Sequence, residues 1–494
     1  MRPTCHKVFA NRNRKDAPVS STQSPEQLYA AREPVFPRRV KGKFRNLKWI
    51  IMILTLGVYY LTPWIRWDRG PELPDQAVLV DMAGRRFFFF WIEIWPHEFY
   101  FVAGLLIMAG LGLFLFTSAL GRVWCGYACP QTVWTDLFIL VERWIEGDRN
   151  ARLRLWRQKK WDLRKLRLRI TKYIAWALIA VATGGAWVFY FTDAPTLLGD
   201  LLTGQAHPVA YTTVLVLTLT TMLFGGFARE QVCVYMCPWP RIQAAMMDED
   251  TMTVGYREWR GEPRGKLRKG QLDPNQGDCI DCMACVNVCP MGIDIRNGQQ
   301  MECITCALCI DACDDVMDKI GKPRGLIDYM ALTDEIRERE GHEPRPIWQH
   351  IFRVRTLVYT ALWSIVGLGL LFALFIRSDI EVSVAPVRNP VYVTMSDGSI
   401  RNTYDMRIRN KHGEARPFLV SLTGDPALEL RLEGSLDESV TVPADSMAIQ
   451  RVYVIAAPGS VPAQDERSEF RFWIEDLTNG DRAHTDTVFN GKGQ

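Results

Sequence analysis

Eight of the chain's 13 cysteines fall within residues 279–313, CIDCMACVNVCPMGIDIRNGQQMECITCALCIDAC. Cys279, Cys282 and Cys285 are each three residues apart, and Cys289 follows just before Pro290. The same C-x2-C-x2-C-x3-C spacing recurs at Cys303, Cys306, Cys309 and Cys313. Three thiolates on one tight turn can ligate three irons of a cubane, and in such paired runs the fourth cysteine ligates the other cluster. The spacing therefore predicts two 4Fe–4S clusters. One is assigned to Cys279, Cys282, Cys285 and Cys313, the other to Cys303, Cys306, Cys309 and Cys289. Zinc is the competing reading, but zinc sites use separated C-x2-C pairs rather than triplets. Cys313 is followed by Asp314 where the pattern has proline, which alters local shape more than ligation. This chemistry moves electrons one at a time.

Two further pairs resemble each other. WCGYACPQ holds Cys125 and Cys129, and VCVYMCPW holds Cys233 and Cys237. Both read C-x-Y-x-C-P. On a helix, residues i and i+4 share a face, so each pair could present two sulfurs together, and the following proline limits how far such a helix runs. Four such sulfurs suit copper(I) or another soft metal, or a redox dithiol pair; four buried, inert cysteines are the alternative. Met246 and Met247 follow the second pair and carry thioethers that copper(I) also accepts. His97 and His207, at the starts of two apolar runs, raise a haem or copper possibility. Glu93, in FFFFWIEIWPHEF, suggests proton or quinol chemistry if it lies at membrane depth.

These groups need elements to hold them. The chain has 494 residues, 48 % of them apolar, with 17 tryptophans and 23 % charged residues, a composition suited to a mixed membrane and soluble protein of several domains. The net charge of +4 is too small to argue for nucleic-acid binding. Residues 1–46 read as a polar, largely flexible tail without a secretory signal. Apolar runs at 47–64, 99–120, 171–191, 207–228 and 356–376 are each long enough to cross a bilayer. ARLRLWRQKKWDLRKLRLRITK follows the second run, whereas the loop after the third has no Lys or Arg. The positive-inside tendency then puts the N-terminus, 121–170 and 229–355 in the cytoplasm, and 377–494 on the outer side. All the cysteines fall on the cytoplasmic side of this scheme, the opposite of a disulfide distribution.

The expected organisation is a four-helix membrane region at 47–228 carrying the first C-x3-C-P motif. A cytoplasmic region at 229–355 follows, with the second motif and a ferredoxin-like core near 270–325, then a fifth transmembrane helix at 356–376. Residues 331–346 read as an exposed helix and linker. In 377–494 the pattern changes to period two. YDMRIR alternates Tyr404, Met406 and Ile408 with Asp405, Arg407 and Arg409; LELRLE and EFRFWIE (Phe470, Phe472, Ile474) do the same. Asp397-Gly398 and Asn479-Gly480 are hairpin turns. These signals fit a C-terminal all-β sandwich of immunoglobulin-like type.

The order GRVWCGYACPQTVW, VCVYMCPWPRIQAAMMDEDT, two-cluster insert, final span and outer β domain closely resembles the cytochrome c oxidase accessory proteins called CcoG, FixG or RdxA. The resemblance covers nearly the whole chain after the first thirty residues. The C-x3-C-P motifs are shared with related membrane ferredoxins of nitrate and nitrous-oxide respiration, so the β domain and span layout carry the distinction. The resemblance implies a cupric reductase, turning copper(II) into copper(I) while cbb-type cytochrome c oxidase is assembled. Cys125, Cys129, Cys233 and Cys237 would then handle copper, which is substrate or transient ligand. Oxidase subunits, copper-delivery proteins and a cytoplasmic electron donor would be partners. The alternatives are a quinol-linked electron-transfer subunit feeding an outer reductase, or a non-catalytic assembly scaffold.

Overall fold

The computed structural model describes residues 34–69, 73–266, 275–377, 380–435, 437–444 and 446–493. Cys5 and most of the expected N-terminal tail lie outside the described residues.

Four helices among the described residues are long and apolar enough to cross a membrane: Lys43–Trp64, Tyr100–Leu120, Pro208–Ala228 and Val354–Phe375. The expected run at 171–191 lies mostly in helix Leu163–Val188, whose 26 residues begin with Arg164, Lys165, Arg167 and Arg169. It does not join the four by length and composition, so the expected count of five reads as four plus this mixed helix. It packs along Pro208–Thr221. Gly184 makes the approach possible, because a β-carbon there would stand 2.9 Å from the Val214 carbonyl oxygen.

The helix ends meet two layers. At one end lies the cysteine-rich module. Asp311 accepts backbone N–H bonds from Phe44 (3.3 Å) and Arg45 (2.7 Å), an N-cap supplied from a distant segment. Arg45 and Lys48 reach Asp136 at 2.9 and 3.9 Å in a buried group. Glu142 takes Arg229 at 2.5 Å and Lys172 at 3.6 Å, and Arg353 takes Asp248 at 2.5 Å. At the other end Gln76 donates to the Phe189 carbonyl at 2.7 Å, and Tyr190 to that of Tyr59 at 2.9 Å. A three-stranded sheet, Val78–Asp81, Arg86–Phe89 and Ile92–Ile94, also stands there.

The cysteine module is built on helices Ala284–Val288 and Leu308–Lys319, closed by the antiparallel pair Thr253–Tyr256 and Ile327–Met330. Its core, including Val254, Ile310, Met317 and Ile327, reaches beyond the expected 270–325 on both sides. Helix Leu332–Arg339 lies within the expected exposed helix and linker, but its Asp334 is buried and meets His350 at 2.7 Å.

The C-terminal region is a two-sheet sandwich. Strands Leu428–Leu432, Met447–Ala456, Ile400–Asn410 and Ile380–Pro386 form one sheet in that order, with Val393–Thr394 paired to Ile400–Asn410. Ser439–Val442, Arg416–Thr423, Ser468–Asp476 and Arg482–Phe489 form the other. Tyr404, Met406, Ile408, Phe472 and Ile474 are fully buried between them, so the alternation reads as expected. Gly398 and Gly480 close hairpins with φ of 86° and 77°, values that favour glycine.

Candidate iron–sulfur and copper site

The two cysteine triplets fold alike. Asp281 and Met283 flank Cys282 with positive φ (50° and 59°), and Thr305 and Ala307 flank Cys306 in the same way (53° and 58°). Four non-glycine residues in this sparsely populated region mark backbone held by surrounding structure. Each triplet wraps into a loop and then enters a short helix, Ala284–Val288 or Leu308–Lys319.

The fourth cysteines cross between the runs. Cys313 lies within electrostatic range of Cys285, Cys282 and Cys279, and Cys289 within range of Cys306 and Cys303. Cys289, Cys303, Cys306 and Cys309 line one cavity, together with Cys285. Sulfurs spread around a cavity suit a cubane, in which each thiolate meets its own iron, better than a zinc tetrahedron. Burial pushes the Cys285 thiol up to about 11 and Cys289 up to about 12, so loading metal here displaces protons.

The C-x3-C-P motifs differ from the expected single helical turn. Cys125 sits in helix Val123–Tyr127, but Cys129 is extended (ψ 128°) and precedes helix Pro130–Glu146. Cys233 sits in the π-helical turn Val232–Met236, and Cys237 is extended (ψ 125°) before Pro238. Proline disfavours the helical region for the residue before it, so the second cysteine of each pair leaves the turn. The pairs nonetheless gather: Cys129, Cys125 and Cys237 all lie within electrostatic range of Cys233. Burial raises Cys125 to about 11 and Cys233 to about 12. Cys125 donates to Gln243 Oε1 at 3.0 Å.

The first motif sits directly on the second triplet. A β-carbon on Gly126 would stand 2.6 Å from the Ile304 carbonyl oxygen and 2.9 Å from Cys306 Cα. Tyr127 Oη donates to the Cys306 carbonyl at 3.2 Å, and Arg122 to that of Met301. Cys125 shares a buried cluster with Ile304 and Cys306. Sequence reasoning missed Gly126, Tyr127, Arg122 and Gln243. A glycine between two cysteines was the one local sign, while Gln243 becomes a partner of Cys125 only through folding.

The remaining candidates are spread over the fold. Met246 is buried and Met247 packs toward Gly121. His207 is exposed and its Nδ1 accepts from Val209 N–H at 3.3 Å, capping a helix. The side chain of His97 lies outside the described ones. Glu93 belongs to strand Ile92–Ile94, paired with Arg86 at 3.1 Å, rather than to a membrane helix; burial raises its pKa against the Arg86 charge. Its run, FFFFWIEI, alternates in a strand pair instead of continuing helically.

Comparison with known proteins bears on this arrangement. Residues 228–332 match a 4Fe-4S dicluster domain, residues 101–164 a 4Fe-4S binding domain, and residues 370–492 the IG-like fold at the C-terminus of FixG. The chain is 72 % identical to Protein RdxB of Cereibacter sphaeroides, over 97 % of this chain and 99 % of the relative. It is 62 % identical to Protein RdxA of the same organism (91 % and 95 %) and 51 % identical to the nitrogen fixation protein FixG of Rhizobium meliloti (99 % and 98 %). The chain belongs to the FixG/RdxA family. It is a membrane-associated iron–sulfur electron-transfer protein of that family, with an immunoglobulin-like C-terminal domain.

Proposed function

We propose that this protein is a cupric reductase serving assembly of cbb-type cytochrome c oxidase in the bacterial inner membrane. One observation carries the reading: the backbone of the first C-x3-C-P motif touches the Cys303–Cys309 loop at Gly126, with the other motif's sulfurs alongside. Thiols suited to copper(I) therefore stand beside thiols suited to iron–sulfur ligation. Cys279, Cys282, Cys285 and Cys313 would hold one 4Fe–4S cluster, and Cys303, Cys306, Cys309 and Cys289 the other. When bound, such clusters supply single electrons, the stoichiometry of copper(II) to copper(I). Cys125, Cys129, Cys233 and Cys237 bind the copper substrate, and Gln243 and Thr132 fix the first motif; Thr132 Oγ1 donates to the Cys125 carbonyl at 2.6 Å.

Helix Leu163–Val188 serves as the remaining span in this reading. It runs between the same two layers as its neighbours, from Lys172 beside Glu142 to the Phe189 carbonyl beside Gln76. Five spans put the cysteine module in the cytoplasm and the β domain outside, where oxidase subunits and copper-delivery proteins would be met.

The test uses protein purified without oxygen, chemically reduced and freed of reductant. Copper(II) is added while visible absorption follows the iron–sulfur centres and a copper(I) chelator reports product. Matched reoxidation and copper(I) formation are expected, and serine at all four C-x3-C-P positions abolishes both while iron content stays constant. Centres that stay reduced while copper stays divalent refute the proposal and favour quinol-linked transfer or a scaffold. The 4Fe-4S match over 101–164, which contains Cys125 and Cys129 as its cysteines, favours a second reading in which these four sulfurs hold a further iron–sulfur group. Loss of iron in the same serine variant would establish it.

A further inference from the structure

We infer that the cavity between helices Leu163–Val188 and Pro208–Ala228 and residues 34–36 binds a membrane quinol, the electron donor of the iron–sulfur module. Quinol as donor goes beyond the cupric reductase reading and holds whichever acceptor takes the electrons. The donor arrives through the membrane rather than from the cytoplasm. Glu93, the residue that suggested quinol chemistry in the sequence, stands in the sheet at the other end of the helices.

The cavity measures about 350 Å³. An apolar cavity of about 150 Å³ accepts benzene, so a substituted six-membered ring fits this one. Its walls are aromatic: Phe36, Trp156, Tyr173, Trp176 and Phe227. Lys172, Arg229, Glu142 and Glu230 add charges of both signs. The cations are engaged by carboxylates: Lys172 meets Glu146 at 3.0 Å, and Arg229 meets Glu142 at 2.5 Å. Arg169 also meets Glu146, at 3.1 Å, and Arg152 meets Glu142. The buried donor on this lining that has no hydrogen-bond partner is neutral. It is the indole Nε1–H of Trp176, a residue only 2 % exposed. Such a donor calls for an acceptor, and a quinone oxygen supplies one without bringing charge. Arg152 keeps Nε and Nη1 unpartnered too, but it is not part of the lining.

The backbone beside Trp176 is shaped to this wall. Met222–Ala228 is π-helical, a rare form that is frequent at functional sites. Arg229 follows with φ of 45°, its Nε donating to the Gly226 carbonyl at 2.7 Å. Such backbone persists where surrounding structure imposes it. Gly226 lets the stretch close on Trp176, since a β-carbon there would stand 2.9 Å from the indole ring. Tyr173, Ile174, Leu223 and Phe227 are exposed on the membrane helices and offer an apolar tail a surface to lie along. On the other side Val35 lines the cavity, and a β-carbon on Gly292 would stand 2.8 Å from its Cγ2. Gly292 N–H donates to the Cys289 carbonyl at 3.3 Å. One residue therefore separates the cavity from the Cys289 loop. Quinol gives up two electrons and two protons and becomes quinone. The electrons pass singly to oxidised iron–sulfur centres, and the protons go to water on the module's side.

The test uses the full-length protein in detergent. Equilibrium dialysis measures binding of a short-tailed benzoquinone, and peptide mass spectrometry maps a photoreactive azido derivative of it. Saturable binding is expected, with label in peptides carrying Trp156, Tyr173, Trp176 or Phe227. Trp176→Phe keeps an aromatic ring and removes the N–H. It is expected to weaken binding by about 2- to 12-fold, the loss of one neutral hydrogen bond, with iron content unchanged. Quinol added without oxygen is expected to bleach the oxidised centres. Absence of saturable binding, label confined to other segments, or unchanged affinity in Trp176→Phe overturns the inference. The label map needs no variant, so it decides even where Trp176→Phe fails to fold. Tightly held phospholipid that the quinone does not displace from these peptides assigns the cavity to lipid and overturns it as well. Quinol that bleaches the centres while added copper(II) stays divalent leaves the site standing and ends the cupric reductase reading. Copper(I) formed by a protein that binds no quinone does the reverse.

Discussion

Gly126→Ala is a one-carbon change aimed at the contact between the first C-x3-C-P motif and the Cys303–Cys309 loop. The added β-carbon would meet the Ile304 carbonyl oxygen at 2.6 Å, whereas ordinary contact begins at 3.4 Å. The difference, 3.4 − 2.6, requires the loop to retreat by about 0.8 Å. The obstructing atoms are backbone atoms of Ile304 and Cys306, not the free ends of side chains, so rotamer changes do not relieve it. Overpacking of this kind costs about 1–3 kcal/mol. A retreat of that size also carries the 3.2 Å bond from Tyr127 to the Cys306 carbonyl out of hydrogen-bonding range. If the whole cost falls on docking, the undocked fraction rises about 5- to 150-fold. Amide hydrogen exchange across residues 303–309 in the iron-loaded protein reads that opening directly. Protection should fall by the same factor while iron content stays constant, because none of the eight ligand thiols is touched, and copper(I) formation should slow. Wild-type protection and wild-type copper reduction in Gly126→Ala would refute the claim that this backbone contact matters.

Asp136 is a buried carboxylate whose burial opposes ionisation, but Lys48 and Arg45 outweigh that and hold its pKa below the usual range. A depressed folded pKa adds stability that is complete above the unfolded value, about 3.9, and is lost as pH falls through the folded value. Asp136→Asn should therefore destabilise by about 3–5 kcal/mol near pH 7, leaving Arg45 and Lys48 buried without their partner; thermal melts in detergent should show the gap from the parent closing toward about pH 3, and an equal gap at both pH values would contradict the ion-pair account. Asp311→Ala removes the acceptor for the Phe44 and Arg45 N–H groups, so amides in the first turn of Lys43–Leu61 should lose about 1–2 kcal/mol of exchange protection, against no change if water replaces the cap.

What could be read from sequence follows the range of the forces involved. The cysteine triplets were legible because ligation fixes spacing within one turn. The alternation of Tyr404, Met406 and Ile408 was legible because a two-faced strand imposes period two on its own residues. The crossing of Cys289 and Cys313 followed from a known pairing rule and has its geometric counterpart in their neighbours. The helical reading of the C-x3-C-P pairs failed because Pro130 and Pro238 act backwards on Cys129 and Cys237. The condition attached to Glu93, that it lie at membrane depth, could not be decided from four phenylalanines in a row; Phe87–Phe89 and Glu93 lie in a sheet ladder. The docking of Gly126 on Ile304 and the Asp311 cap on a helix some 270 residues earlier join segments far apart in the chain. No local periodicity encodes such meetings.

The two C-x-Y-x-C-P motifs are alike in sequence and unlike in place, and one residue accounts for much of the difference. Between the first cysteine and the tyrosine stands Gly126 in one motif and Val234 in the other. Glycine lets the backbone approach the Cys303–Cys309 loop, so Cys125 and Tyr127 become buried at 9 % and 4 % exposure. A valine in that position would drive its branched side chain into the Ile304 carbonyl, where even one carbon does not fit. The Val234 motif accordingly lies off that contact: Tyr235 and Met236 are 56 % and 59 % exposed, and Cys233 opens on the cavity shared with Met291. The repeat thus divides its labour. The glycine-bearing copy holds the Cys303–Cys309 loop against the membrane helices, and the valine-bearing copy leaves Cys233 on the wall of a neighbouring cavity.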